Sequence, residues 1–88
     1  MNTIYKFELE QTSKQKKLIP NGFRILHTAE QDGVICIWAM VDNSIPMEAV
    51  SFEIYGTGHD IPENANRRYV GTVLMQSTGL VWHVFVMQ

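Results

Sequence analysis

Along most of this chain apolar and polar residues alternate with a period of two, and no window of a dozen residues repeats apolar positions at three and four. The pattern predicts strands. Tyr5, Phe7 and Leu9 share one side of residues 3–9, with Lys6, Glu8 and Glu10 on the other, as in a strand buried on one face. Residues 11–18 lack an apolar stripe and read as a polar edge or loop, ending in the turn Pro20-Asn21-Gly22. From Phe23 the alternation resumes to Gln31, placing Phe23, Ile25, His27 and Ala29 on one face and Arg24, Leu26, Thr28 and Glu30 on the other. Asp32-Gly33 then predicts a tight type I′ hairpin turn, the strongest local signal in the chain.

Val34 to Val41 is apolar without a break and predicts a central strand covered on both faces. After the turn-rich Asp42-Asn43-Ser44-Ile45-Pro46, the stretch Met47 to Val50 has room for at most a short helical turn. Val50, Phe52 and Ile54 alternate with Ser51, Glu53 and Tyr55 in a further half-buried strand. Gly56 to Asn66 is the longest irregular segment, and loops of that size usually have a use. Tyr69–Met75 and Leu80–Met87 form a final hairpin around Gln76-Ser77-Thr78-Gly79, its last strand apolar on both faces except at His83.

The fold class is therefore all-β, or β-rich with one short helical turn. About six mostly antiparallel strands form a meander, small barrel or sandwich in a single domain over residues 1–88. Two strands want cover on both faces and no long amphipathic helix is there to give it. Either the sheet closes on itself or a second copy shelters it, and a homo-oligomer is expected.

Length and composition agree with this picture. A chain of 88 residues with 45% hydrophobic and 18% charged residues is one globular domain with a thin stability margin. The N-terminal segment has no continuous apolar run for export, and no segment approaches the ~20 residues of a spanning helix. Cys36 is the lone cysteine, inside Val34-Ile35-Cys36-Ile37-Trp38, so disulfides are not expected and a buried hydrophobe is its ordinary reading. A cytoplasmic location, with no membrane partner, follows as the expectation. The formal charge of −2 argues against phosphate-backbone binding, so nucleic acid is disfavoured as a partner. The local clusters Lys14, Lys16, Lys17 and Arg67-Arg68 read first as solvated charge.

Candidate chemistry is sparse. There is no nucleophile motif and no phosphate-binding Gly-Lys-Ser/Thr loop, and Asp60 and Glu63 alone do not define an acid–base pair. An enzyme is not expected, and no cofactor is called for. His27, Cys36, His59 and His83 are types that zinc accepts, but their spacing forms no local knuckle, so no metal site is assigned. Gly56-Thr57-Gly58-His59 is more suggestive. Alternating glycines let backbone approach a ligand and turn N–H groups toward an anion, while Thr57 and His59 add donors. The competing reading is a glycine-dependent turn leaving a strand. The ligand-binding candidates are Tyr55, Gly56, Thr57, Gly58, His59, Arg67, Arg68 and Tyr69: donors, charge, and aromatic rims.

Several segments, Ile4-Tyr5-Lys6, Trp38-Ala39-Met40-Val41-Asp42, Phe52 through Ile61 with its Ile-Tyr-Gly-Thr-Gly-His core, Tyr69-Val70-Gly71-Thr72 and Trp82-His83-Val84-Phe85, resemble a family of short bacteriophage and prophage proteins. The resemblance spans almost the whole chain and carries no activity or site residues with it. It implies an accessory protein acting in a bacterial host cytoplasm. The functional expectation is a non-catalytic oligomeric binding protein for a small anionic, nucleotide-like ligand. The alternatives are an inhibitor that binds a host protein and a minor structural or assembly protein of the virion.

Overall fold

The computed structural model describes residues 1–88 as seven strands without a helix. They are β1 (Asn2–Leu9), β2 (Lys14–Pro20), β3 (Arg24–Gln31), β4 (Val34–Asp42), β5 (Met47–Gly56), β6 (Arg67–Leu74) and β7 (Val81–Met87). They form two antiparallel sheets, one in the order β1-β4-β3 and the other in the order β2-β5-β7-β6. The domain measures 39 × 31 × 16 Å between Cα extremes, and its short axis is what two sheets packed face to face require.

The core lies between the sheets. β4 contributes Ile35, Ile37, Ala39 and Val41, and the opposite sheet contributes Val50, Phe52, Ile54, Val84 and Val86. Closure into a sandwich thus shelters the inward faces of the two greasiest strands. Their outward faces are only half covered: Trp38 and Met40 on β4, and His83 and Phe85 on β7, keep partial exposure. No helix is long and apolar enough to cross a membrane.

Two local expectations are corrected, and the edge-or-loop reading of residues 11–18 resolves to an edge strand. The polar stretch at residues 11–18 contains an added strand, β2, which raises the count from six to seven. It pairs along its length with β5, keeps Lys14 and Lys16 exposed on the sheet edge, and is anchored by fully buried Ile19. Met47–Val50 is not a helical turn but the first half of β5, held by that same ladder. A bulge between Ile25 and His27 breaks the alternation predicted for β3. The extra residue, Leu26, inverts the phase, so Thr28 turns inward while His27 and Ala29 turn out beside Trp38 and Cys36. The Asp32-Gly33 turn is as expected, both residues holding positive φ (53° and 81°).

Two features of this layout place the candidate residues. First, β5 and β6 both run antiparallel to β7 and hence parallel to each other, so residues 57–66 must return the length of the sheet to reach β6. Second, β3 and β6, the edges of different sheets, pack against each other with no ladder between them. Each carries a bulge, at Leu26 and at Val70.

Candidate functional site

Side chains tie down the crossover segment 57–66 along its length. His59 folds back so that its Nδ1 accepts the backbone N–H of Gly56 at 3.1 Å, while its own N–H donates to the Gly56 carbonyl. A Cβ at Gly56 would lie 2.8 Å from the His59 ring, so only glycine admits this closure. The ring also meets Trp82 edge to face at 6.1 Å. Thr57 Oγ1 is 2.8 Å from His83 Nε2, and Thr72 Oγ1 is 3.0 Å from the opposite ring nitrogen. Tyr69 extends this chain through its hydroxyl contact with Thr72. Finally, Arg67 donates through Nη1 to the Pro62 carbonyl.

Arg67 has a second duty. Its Nε and Nη2 each lie 2.8 Å from Glu53 Oε1, and Tyr55 donates its hydroxyl to the same oxygen at 2.9 Å. Both charged side chains are nearly buried (11% and 7% exposed), and the guanidinium sits over the Tyr55 and Phe85 rings at 5.7 and 5.9 Å. Burial first, then the hydrogen bond to Glu53, raises the Tyr55 phenol above its ordinary value. Glu53 and Tyr55 point away from the core, yet the side chains and crossover around them exclude water.

Of the eight residues expected to bind a ligand, five are therefore engaged in holding the crossover: Tyr55, Gly56, Thr57, His59 and Arg67. Gly58 supplies the positive φ (88°) of the turn. Arg68 and Tyr69 are placed differently. They line a cleft of about 330 Å³ at the seam between β3 and β6, together with Phe23, Arg24, Leu26 and His27. Arg24 and Arg68 come from different sheets, are exposed, and make no ion pair; no Asp or Glu lines the cleft. Tyr69 leaves 61% of its surface in solvent, braced edge to face on Phe85 at 5.7 Å.

With the geometry in hand, the chain can be set beside known proteins. A family profile described as a domain of unknown function, DUF7352, matches residues 1–88. The chain belongs to this family. No curated protein and no solved structure matches it. The remaining candidate chemistry of this DUF7352 domain is scattered. No three of its His, Cys, Asp and Glu side chains gather in a group that could hold a metal ion. Cys36 is fully buried, and burial raises its thiol above the ordinary value.

Arg24 was given no binding role by sequence reasoning, and His27 was weighed only as a zinc-ligand type. Arg24 was assigned to the face opposite His27, and only the bulge at Leu26 brings both to the seam. The available signal was faint: Arg24, like the Arg67-Arg68 pair, stands at the start of a strand just after an Asn-containing turn.

Proposed function

We propose that this domain is a non-catalytic binding protein for a small anionic, nucleotide-like ligand, held in the seam between β3 and β6. Arg24 and Arg68 carry the reading. Arg24 and Arg68 both line one cleft and neither is in a salt bridge with Asp or Glu, in a chain whose net charge is −2, and such a pair favours an anion. Exposed Tyr69 offers a planar face for a base, and His27 adds a donor at the rim. Bulges on both flanking strands support the assignment, since bulges re-aim side chains beside functional sites. The Gly-Thr-Gly-His segment then acts as the clasp of the crossover rather than as the anion cradle. The resemblance to bacteriophage and prophage proteins suggests a setting in which such a ligand is a host signal.

Thermal denaturation with a panel of linear and cyclic nucleotides tests this. A bound nucleotide raises the midpoint in proportion to the logarithm of its concentration, and added salt weakens the effect. A midpoint that no nucleotide moves, at low salt and high ligand concentration, removes the proposal.

A further inference from the structure

The two sheets end in four edge strands, β1 and β3 in one, β2 and β6 in the other. β3 and β6 meet along the seam, and each is broken by a bulge. That leaves β1 and β2, and the two edges are built differently. The bonds from Asn21 N–H to the Pro46 carbonyl, and from Ile54 N–H to the Ser13 carbonyl, turn the odd-numbered residues of β2 toward β5. Lys14, Lys16, Leu18 and Pro20 therefore direct their backbone to the open side. Two lysines and a residue with no N–H guard that edge against a further strand. β1 has no such guard, and its ladder with β4 runs without a break in register from Asn2 to Leu9. The bond from Asn43 N–H to the Met1 carbonyl turns the odd-numbered residues of β1 toward β4. The N–H and C=O groups of Ile4, Lys6 and Glu8 are thus left facing outward. At Glu10 the edge closes, because the Gln15 side-chain amide accepts the Glu10 N–H at 2.8 Å and donates to its carbonyl at 2.7 Å, as a neighbouring strand would.

We propose that β1 pairs antiparallel with β1 of a second copy of this chain, about a twofold axis at Phe7, joining two three-stranded sheets edge to edge. Charge names both the occupant and the register. With the axis at Phe7, Lys6 stands opposite Glu8 of the second copy and Glu8 opposite its Lys6, so symmetry makes one complementary pair twice. Both side chains are exposed and neither makes an ion pair within the domain; Lys6 donates only to the Gln31 side-chain oxygen, at 2.8 Å. An axis at Lys6 would set like charges face to face. An axis at Tyr5 would set Lys6 opposite Ile4 and Glu8 opposite Asn2, where neither charge is answered. β1 lies on the far side of β4 from β3, so the pairing leaves the seam open and does not rest on the anion reading.

Sedimentation velocity and hydrogen exchange of the native domain over a wide range of concentration test this. A dimer is expected as concentration rises. The Lys6 and Glu8 amides should exchange fast when dilute and slowly when concentrated, while the Phe7 amide, bonded to β4, stays slow throughout. Lys6→Glu and Glu8→Lys are each expected to weaken the dimer about tenfold or more, since each sets like charges opposite one another. An equal mixture of the two variants is expected to associate again, because two acidic residues on one copy then face two basic residues on the other. Melting curves establish that each variant is folded; if one is not, exchange at Lys6 and Glu8 in the native domain decides the matter alone. Three results overturn the proposal: a native domain that stays monomeric at every concentration, a dimer whose Lys6 and Glu8 amides still exchange fast, or folded variants that dimerise like the native domain or fail to associate when mixed.

Discussion

At the scale of single residues, the sharpest dependence is that of Glu53 on Arg67. A carboxylate that is 7% exposed on the outward face of a sheet is tolerated because two guanidinium nitrogens and one phenol hydroxyl converge on a single oxygen. Removing one partner strands the other charge out of water, so Arg67→Ala is expected to lower unfolding free energy by about 3 kcal/mol, measured by urea denaturation. Replacing both residues with methionine is expected to recover most of that loss; a double variant no better than the single one would show that the charges matter only through the bond to Pro62. Gly71 is a second strict position. A Cβ there would fall 2.6 Å from Thr28 Cγ2, where β6 meets β3. Gly71→Ala is expected to cost roughly 1–3 kcal/mol through overpacking. Adding Thr28→Ser should restore much of it, because serine drops the methyl but keeps the hydroxyl that donates to the Cys36 carbonyl at 2.8 Å. Tyr55 gives a pH signature. Its phenol is raised when folded, so the neutral form is favoured by the fold, and this share of stability is complete below the ordinary tyrosine value of about 10 and fades as pH rises through the folded value. Ultraviolet titration should therefore find a tyrosine ionising above the ordinary value, absent in Tyr55→Phe. A high-pH step that survives Tyr55→Phe would contradict the buried arrangement.

Among the elements, the crossover 57–66 has the most consequence, and its role was only half legible in the sequence. Length and glycine content marked it as a loop with a use, and Gly-Thr-Gly-His as either a cradle or a turn. What could not be read was that β5 and β6 flank β7 and run parallel to each other, since strand order depends on pairings far apart in sequence. Once that order is known, the segment has to traverse the sheet, and His59, Thr57 and Arg67 become its fastenings. The strands themselves were largely legible, because period-two patterning and the Asp32-Gly33 turn are local signals. Two strand features escaped for physical reasons. β2 carries polar residues on an edge, where little is buried and the apolar pattern fades, and the bulge at Leu26 has no glycine or proline to announce it. His27, not Arg24, was put on the wrong face by that one inserted residue, and the cleft went unseen with it.

On the scale of the whole molecule, in a sandwich of 88 residues the edge strands β3 and β6 meet along a seam that no backbone ladder closes. Two unpaired arginines, one from each sheet, flank it, so an anion lodged between them would tie the sheets together where hydrogen bonds do not. The fold's own needs account for the Gly-Thr-Gly-His clasp and for Arg67, which leaves Arg24 and Arg68 as charges without a structural task. Isothermal titration with the nucleotide that most raises the melting temperature, run on the native domain, on Arg24→Ala/Arg68→Ala and on His59→Ala, tests this division most directly. Binding heat should vanish with the arginine pair and persist, with affinity within about threefold, when the clasp histidine is removed. Heat that survives loss of both arginines but disappears with His59 would move the site to the crossover and contradict the account.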